Sequence, residues 1–562
     1  MASNTSSALR KKLSQIEGLP SHLSVPKAGA AGDAVRPAEY ASEGAGATSE
    51  RAPERATSVA KVAHLKPRSA FSLDESAPPS SSQSPFASLF SRYGRPLKIA
   101  ILSDFTKISY ANGAAFQTRF LYQELRRCGH QVTVIGPKDP SATEEDMAPG
   151  TVALPSMPLK FYPGLYLPLP LESWVFDPTR WDFDLVFAQT TTLLMEFGIW
   201  LRKMLGVPLL CVNTTHLAAA YDVLLPERLS KIEMVHAALH VALQRPYEKY
   251  FSSIYNDTDG LVVLSEGLRT YWRERGVTAP IHVIPRAVQP EIFDRPIGAD
   301  PYVDFLGDHE GPRILCAGRH TREKYQDRLI RIFAKHVLPA APNATLTLVG
   351  QGPDTEFYQR VARECGVADR VFFPGEVPFL RMADYYAYAD VFAHTSLSET
   401  YGNVLGEALW CGTPTVAFAD GMGASSQIRD GEGGILIGPG KGASDEADGD
   451  RAFGAAVVRF LNDPNLRARL GKGAARAARE RAAPAAVLGK VAEAFRHAQD
   501  HAKRAGLRPV MDGPKIIKWA KTFDHFRRWA LGNGALVAMG RLRKPHSVSG
   551  AVHPQIHTPN LR

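Results

Sequence analysis

The sequence predicts an α/β protein with two domains, each built around a parallel β-sheet. Short apolar runs, such as 98–102, 313–317 and 390–394, recur through the middle of the chain. Stretches with helical spacing of apolar residues lie between these runs, and this alternation is typical of βαβ units. With 562 residues, the chain is long enough for two such domains and two terminal extensions.

The N-terminal segment differs from the rest of the chain in composition. Residues 1–94 are rich in Ala, Ser, Pro and Glu and show no helical or strand periodicity. They are therefore predicted to be a disordered head. Ser and Ala with several arginines also occur in transit peptides, but the acidic residues from Glu39 onward disfavour that interpretation.

The composition favours a cytoplasmic protein. No apolar run reaches transmembrane length, and the N-terminus lacks the apolar core of a signal peptide. The five cysteines are scattered without metal-type spacing, which fits a reduced compartment.

The positive charge is concentrated at the C-terminal end. Of the formal net charge of +9, residues 506–562 contribute +8, from ten Lys or Arg and two Asp. Apolar residues such as Ile516, Trp519 and Phe523 share one face of a predicted helix in this tail. Segment 515–545 is therefore predicted to bind an anionic membrane surface, with a helix docked on the protein as an equal alternative. A basic tail without a recognisable fold does not predict nucleic-acid binding.

Residues 95–295 are predicted to form the first domain. Its helices are expected at 116–128 and 191–205, and the first loop lacks the Gly-x-Gly-x-x-Gly pattern of dinucleotide sites. Residues 155–175 are rich in Pro and aromatics and carry few charges, so they either meet an apolar ligand or pack on their own domain. Strands are expected at 98–102, 131–135, 184–188, 208–212, 260–264 and 280–284.

Two Asp-x-Asp pairs in this half resemble a metal-binding pattern. The pairs Asp182/Asp184 and Asp257/Asp259 both precede predicted strands, whereas α/β sites lie at the carboxyl ends of strands. They are interpreted as residues that begin strands, and no metal site is predicted.

Residues 296–484 are predicted to form the second domain, and residues 451–504 carry helical patterns. Its strands are expected at 313–317, 344–349, 371–375, 390–394, 415–419 and 434–437.

Most of the functional information lies in Ser398–Pro414, SETYGNVLGEALWCGTP, which follows the apolar run 390–394. Glu399 lies in the loop before a predicted helix, and Glu407 lies in the second turn of that helix. Backbone N–H groups at the positive end of a helix dipole form an anion site. An anion site between two carboxylates suggests a sugar nucleotide as the ligand, with its phosphates on the N–H groups and its hydroxyls on the carboxylates. The alternative, which two glutamates alone would not exclude, is a capped helix at the surface. The N–H groups predicted to form this site belong to Thr400, Tyr401, Gly402, Asn403 and Val404.

The spacing Glu-x7-Glu after a strand, followed by Ala-Leu-x-Cys-Gly-Thr-Pro-Thr-Val, resembles the retaining glycosyltransferases of family 4 (glycosyl transferases group 1). These enzymes have the GT-B fold, in which two Rossmann-like domains face a central cleft. The resemblance covers about residues 96–504. It implies that Glu399 contacts the donor sugar, that Glu407 contacts the ribose of the nucleotide, and that a helix at 485–505 crosses back to the first domain.

Two cations follow the predicted strand 313–317. Arg319 and Lys324 lie where they would clamp a diphosphate from the side opposite the helix amides. The resemblance implies that they stabilise the leaving nucleotide diphosphate. Tyr325 stands where the family commonly has Gly, which changes the expected geometry of this loop.

The resemblance also implies several weaker contacts. Gly113 would lie against the donor phosphates or sugar, or would only let the chain turn. His216 follows a strand and would lie near the donor sugar and acceptor, with a structural role as the alternative. The main chain at Glu376 and Val377 would meet the base.

Together these observations predict a retaining, metal-independent transferase that moves a sugar from a UDP- or GDP-sugar to an acceptor hydroxyl, with no cofactor. The acceptor is expected to be a lipid or lipid-linked glycan at the cytoplasmic face of the membrane, where the protein would be peripheral. The alternatives are a soluble enzyme of the same fold, such as a disaccharide synthase or an epimerase, and a non-catalytic GT-B scaffold protein.

Overall fold

The structure is a computed structural model of the 562-residue chain. All the residues it describes fall in one compact unit, Arg68–Arg562. No helix among them is both long and apolar enough to cross a membrane. The described residues are 85–86, 94–107, 113–158, 166–168, 175, 177–190, 194–214, 248–307, 309–397, 399–438 and 446–509.

The first sheet has seven parallel strands in the order β3-β2-β1-β6-β7-β8-β9. Every residue of β6 and β7 is buried, as expected for parallel strands covered on both faces. A separate antiparallel pair is formed by β4 and β5. The strands are β1 (Lys98–Ser103), β2 (Gln131–Pro137), β3 (Val152–Leu154), β4 (Ser156–Pro158), β5 (Tyr166–Pro168), β6 (Leu185–Gln189), β7 (Leu209–Val212), β8 (Gly260–Val263) and β9 (Ile281–Val283).

The second sheet has six parallel strands in the order β12-β11-β10-β13-β14-β15. From β10 the chain continues to β11 on one side, and it later returns to β13 on the other side. The gap between the carboxyl ends of β10 and β13 is therefore the topological switch point, where α/β sheets bind ligands. The strands are β10 (Arg313–Ala317), β11 (Thr345–Val349), β12 (Val371–Gly375), β13 (Val391–His394), β14 (Thr415–Phe418) and β15 (Gly434–Ile437).

Helices connect the strands of both sheets and form the C-terminal part of the described chain. The prediction of two parallel α/β domains is confirmed by this alternation. The helices are α1 (Gly113–Arg127), α2 (Leu194–Leu205), α3 (Glu266–Glu274), α4 (Pro290–Phe293), α5 (Val303–Leu306), α6 (Gln326–Ile332), α7 (Thr355–Glu364), α8 (Met382–Ala387), α9 (Asn403–Trp410), α10 (Gly423–Gln427), α11 (Glu446–Asn462), α12 (Pro464–Ala482) and α13 (Pro484–Arg504).

The last helix, α13, contributes to the core of the first domain. Its Phe495 is fully buried, and its ring lies 5.3 Å from that of Phe187 on β6 and 5.8 Å from that of Phe86. Phe86 falls inside the range predicted as a disordered head, yet it is fully buried in this core. This residue is therefore part of the folded domain, because its ring fills space between α13 and the first sheet.

The hairpin β4–β5 lies within the Pro-rich surface predicted at 155–175. Leu167 on β5 is buried in the first core. The described part of this surface therefore packs on its own domain, the second of the two predicted alternatives. Residues 159–165 and 169–174 lie outside the described residues.

The two Asp-x-Asp pairs hold the amino ends of strands. Asp184 accepts hydrogen bonds from Arg95 and from the N–H of Lys98, the first residue of β1. Asp259 pairs with Arg202 and accepts from the N–H of Leu209, the first residue of β7. Within the described ranges, no group of three or more His, Cys, Asp or Glu side chains is arranged to hold a metal.

Candidate active site

The candidate active site is built on two loops at the switch point of the second sheet. One loop follows β10 and contains Arg319 and Lys324. The other follows β13 and contains Glu399. Because β10 and β13 are neighbours, their carboxyl ends bring together residues that are far apart in sequence.

The centre of the site is an ion pair between Lys324 and Glu399. The Lys324 Nζ lies 2.6 Å from Glu399 Oε1, and His394 Nε2 lies 3.4 Å from the same oxygen. Burial would raise the pKa of Glu399, but the positive charge of Lys324 and contact with His394 outweigh it and hold this pKa well below its ordinary value. Burial likewise opposes the charge on Lys324, but Glu399 raises the Lys324 pKa overall. The site therefore holds a fixed ammonium and a fixed carboxylate.

The Lys324 loop is held in place by hydroxyl groups at the end of β13. Thr395 Oγ1 lies 3.1 Å from the carbonyl oxygen of Lys324 and 2.9 Å from that of Tyr325, and it donates to them. Ser396 donates to the carbonyl oxygen of Glu323 at 3.4 Å. These contacts fix the direction of the Lys324 side chain relative to Glu399.

Tyr325 adopts the left-handed conformation with a φ of 51°, the only non-glycine residue in the described ranges with a positive φ. Glycine adopts this conformation without strain, whereas an L-residue with a Cβ is strained in this region. The loop therefore keeps the backbone path that Gly would allow, at a cost in stability.

Replacing Tyr325 by Gly is expected to raise the free energy of unfolding by about 1 kcal/mol, because the strain of the left-handed conformation is relieved. Thermal unfolding of the variant measures this gain. Tyr325→Ala is the matched control, because it removes the ring but keeps the Cβ and its strain. Equal stability of the Gly and Ala variants would contradict this explanation.

The N-terminus of α9 completes the site on one side. Gly402, just before the helix, has a φ of 80°, and no side chain caps the helix. The first N–H groups of a helix have no acceptor within it. The carbonyl oxygens of this loop are occupied, since Gln427 Nε2 donates to Tyr401 and Gly402 and the N–H of Gly423 donates to Glu399. The loop thus presents donors rather than acceptors.

Tyr401 was predicted to lie at the donor, but its side chain points elsewhere. It is 3% exposed and belongs to the core of the first domain. Its hydroxyl donates to the carbonyl oxygen of Arg286 at 3.4 Å. A donor contact by this residue is therefore limited to its backbone, because the ring joins the loop to the first domain.

Two further contacts bring the first domain against loops of the second domain, one before α9 and one after β14. Thr400 Oγ1 donates to the carbonyl oxygen of Thr214, just after β7, at 3.5 Å. A Cβ added to Gly267 in α3 would lie 1.9 Å from the carbonyl oxygen of Gly421. The candidate site therefore lies where the two domains meet.

Glu407 lies on α9 and accepts a hydrogen bond from the Tyr386 hydroxyl at 2.9 Å. Burial raises the pKa of Glu407 to about 7, although the hydrogen bond from Tyr386 opposes the shift. This carboxyl group therefore changes its charge near neutral pH. Binding of hydroxyl groups as donors would favour the ionised form.

Glu407 is expected to make the free energy of unfolding depend on pH. Its folded pKa lies above the ordinary value of 4.5, so the native state holds the proton more tightly than the unfolded chain. This tighter binding of the proton contributes fully to the free energy of unfolding below about pH 4.5, and the contribution is lost as the pH rises through about 7. Thermal unfolding of Glu407→Gln across this range should show a smaller decline than wild type, and an identical decline would contradict the assignment.

For the remaining predicted residues, the structure gives the position in the fold and the exposure. Arg319 and Glu376 are exposed just after β10 and β12, and Val377 packs against the core of the second domain. Gly113 is the first residue of α1. Asn403 is exposed at the start of α9, and Val404 is half-buried. His216 lies outside the described residues.

Four residues that support the site have no role in the sequence analysis, namely His394, Thr395, Tyr386 and Gln427. His394 and Thr395 were visible as polar residues at the carboxyl end of an apolar strand, a position typical of sites. Tyr386 and Gln427 carry no such signal, because only the fold brings them to α9.

Comparison with known proteins identifies the family of this chain. The family described as Glycosyltransferase Family 4 matches residues 111–292, and the family described as Glycosyl transferases group 1 matches residues 304–477. This chain belongs to glycosyltransferase family 4 and has the GT-B fold.

Curated relatives match different shares of the chain. An alpha-monoglucosyldiacylglycerol synthase from Streptococcus pneumoniae is 27% identical over 57% of this chain and 71% of its own length. A D-inositol 3-phosphate glycosyltransferase from Thermomonospora curvata is 35% identical over 38% of this chain. The match covers 49% of that relative. A GDP-mannose-dependent alpha-(1-6)-phosphatidylinositol monomannoside mannosyltransferase from Mycolicibacterium smegmatis is 31% identical over 39% of this chain and 57% of its own length.

Solved structures share the fold. Sucrose-phosphate synthase from Thermosynechococcus elongatus has a TM-score of 0.55 and 24% identity, covering 72% of this chain and 98% of its own. Anabaena HepE in complex with UDP and glucose has a TM-score of 0.52 and 19% identity, covering 71% of this chain and 98% of its own.

Proposed function

We propose that this protein is a retaining glycosyltransferase that moves a sugar from a nucleotide-sugar donor to an acceptor hydroxyl. The observation that carries the proposal is the Lys324–Glu399 pair at the switch point, 2.6 Å apart and next to the N-terminus of α9. In a family 4 glycosyltransferase, a fixed cation beside the N–H groups of a helix N-terminus supports a role in stabilising a leaving diphosphate. A scaffold protein would have no need to bury such a charged pair.

The proposed role of each residue follows from its charge. Lys324, Arg319 and the first N–H groups of α9 stabilise the negative charge that develops on the leaving diphosphate, without a metal. Glu399 accepts hydrogen bonds from donor-sugar hydroxyls, and Glu407 accepts them from the ribose. Lys324 also holds Glu399 ionised, so this carboxylate is ready to accept. The leaving phosphate oxygen takes the acceptor proton, and no protein nucleophile is assigned.

Ordered water near a nucleotide sugar would hydrolyse it. In the proposed reaction, closure of the two domains around the donor excludes this water. The contacts of Thr400 with Thr214 and of Tyr401 with Arg286 support such closure. His216 and Gly113 remain proposed donor or acceptor contacts, as does the main chain at Glu376 and Val377.

The proposed donor is a UDP- or GDP-sugar, and the proposed acceptor is a lipid or lipid-linked glycan. HepE was solved with UDP and glucose, and the Mycolicibacterium relative is named as GDP-mannose-dependent. The Streptococcus relative is named for a glycosylated diacylglycerol, and the Mycolicibacterium one for phosphatidylinositol. These names support the class of substrate, whereas the particular sugar is left to experiment.

The proposal is tested by measuring nucleotide release from UDP-glucose and GDP-mannose, with and without diacylglycerol or phosphatidylinositol in detergent micelles. Release that requires the acceptor, with a glycosylated lipid as the product, is the expected result. Release without acceptor would favour an epimerase or hydrolase, and transfer only to soluble sugars would favour a disaccharide synthase. Absence of release with every pair would favour the scaffold alternative.

We also propose a peripheral position at the cytoplasmic membrane face, through segment 515–545. Its support is the basic, amphipathic sequence of that segment, which lies outside the described residues. Pro509 packs against Gly206, so a truncation after Pro509 leaves this contact intact. The truncated protein should bind anionic vesicles more weakly than the full chain in co-sedimentation, and equal binding would exclude the tail as the anchor.

A further inference from the structure

A charged cavity lies between α10, α12 and α13, on elements other than the Lys324 loop. Its volume is about 250 Å³, several times the ~30 Å³ share of one liquid water. We call it the rear pocket. Its lining residues are Ser426, Arg429, Ala477, Glu480, Arg481 and Lys490.

The rear pocket has an excess of positive charge. Three cations, Arg429, Arg481 and Lys490, face one carboxylate, Glu480. Arg429 is 80% exposed and only 3.8 Å from Glu432, itself 67% exposed, so this pair neutralises little of its charge. In the described part of the chain, neither Arg481 nor Lys490 has a carboxylate within ion-pair distance.

The guanidinium of Arg481 is held in place by neighbouring residues. Its Nη1 donates to the carbonyl oxygen of Gln427 at 3.1 Å. Its Nε and Nη2 are buried, and the guanidinium also contacts the hydroxyl of Tyr401. Arg481 therefore contributes positive charge to the wall of the pocket, and a phosphate group is an anion that such charge attracts.

From these observations we propose that the rear pocket is a binding site for a phosphate group, either free phosphate or the headgroup of an anionic lipid. Arg429 and Lys490 supply charge at the exposed side, and Ser426 offers a hydroxyl. Glu480 opposes binding by repulsion and so sets the affinity. The site is separate from the Lys324–Glu399 pair, which lies at the carboxyl ends of β10 and β13.

The rear pocket is linked to the loop before α9. Arg481 donates to Gln427, and Gln427 in turn donates to the carbonyl oxygens of Tyr401 and Gly402. A phosphate group that fixes Arg481 would therefore stiffen this loop. By reciprocity, the two ligands would tighten each other's binding. This coupling rests on the proposed donor role of the loop, whereas binding of phosphate to the pocket does not.

The test is isothermal titration of the full-length protein with inorganic phosphate, at constant ionic strength set by sodium chloride. Removing two of the three cations in Arg429→Ala/Lys490→Ala should weaken binding about tenfold or more. Glu480→Gln should tighten it, because one repulsive charge is lost. Lys503→Ala is the matched control, since it removes an exposed lysine of α13 that does not line the pocket.

Phosphate binding at the active site is separated by Lys324→Ala. Binding that persists in Lys324→Ala and is lost in Arg429→Ala/Lys490→Ala supports the rear pocket. Equal binding by wild type and Arg429→Ala/Lys490→Ala, or complete loss in Lys324→Ala alone, overturns it. Co-sedimentation with vesicles containing phosphatidic acid distinguishes the sources. If free phosphate displaces the protein from the vesicles, and the double variant does not bind them, the ligand is the lipid headgroup. If the protein binds phosphate but shows no such vesicle binding, the ligand is the free ion.

Discussion

Replacing Lys324 by Ala is expected to lower kcat by about 10²–10³-fold, the range for loss of one preorganised group that stabilises transition-state charge. The ammonium lies 2.6 Å from Glu399 and is held by the loop that Thr395 anchors. Its charge is therefore in place before the diphosphate begins to leave. Steady-state kinetics with donor and acceptor saturating measures this loss.

The same substitution also affects folding, because it leaves the carboxylate of Glu399 without its main partner. Breaking a fully buried pair costs ~3–5 kcal/mol. We expect about 2 kcal/mol here, since Lys324 is 27% exposed and His394 still contacts Glu399. Thermal unfolding measures this cost separately from turnover.

Two further variants separate catalysis from stability. Lys324→Ala/Glu399→Gln should recover part of the stability, because no buried charge is left unpaired, but it should not recover turnover. Glu399→Gln alone is the control for the second change. Wild-type turnover in Lys324→Ala, or recovery of turnover in the double variant, would contradict the role given to this ammonium.

Replacing Tyr401 by Ala is expected to destabilise the protein by about 3–5 kcal/mol, the usual cost of truncating a buried aromatic side chain. The ring is 3% exposed and fills the core of the first domain, although its backbone belongs to the second. Its loss leaves a cavity and releases the loop before α9. The unfolding temperature and the kcat/KM for the donor should therefore both decrease.

The size of the Tyr401 effect is set against two controls. Tyr401→Phe keeps the ring and loses the contacts of the hydroxyl with the Arg286 carbonyl oxygen at 3.4 Å and with the Arg481 guanidinium, so it should cost about 1–2 kcal/mol. Tyr388→Ala truncates a tyrosine of the second domain that is 37% exposed, and it should cost little. Similar effects of Tyr401→Ala and Tyr388→Ala would refute the role of Tyr401 as a link between domains.

The strands and the switch point could be predicted from sequence because each depends on local pattern. The run Ile99–Leu102 and the run Val391–Ala393 are apolar on both faces, as buried parallel strands require. Arg319, Lys324 and Glu399 then follow from their positions after β10 and β13. The pairing of Lys324 with Glu399 depends on strand order, which no local pattern specifies.

Other features depend on contacts between distant segments. Tyr401 reads as part of a phosphate loop, and only the packing of the two domains turns its ring toward the first core. Phe86 reads as part of a low-complexity head, because one apolar residue has no periodicity. The link from Arg481 through Gln427 to Gly402 joins three elements and has no signature in any of them.

Thermal unfolding in the presence of UDP, GDP, ADP and CMP, each added separately, tests the central claim most directly. A nucleotide at about a hundred times its Kd should stabilise wild type by about 2.7 kcal/mol. We expect one uridine or guanosine nucleotide to raise the unfolding temperature of wild type, and Glu407→Ala to lose that increase. No increase with any nucleotide, or an increase unchanged in Glu407→Ala, would contradict a nucleotide-sugar site at α9.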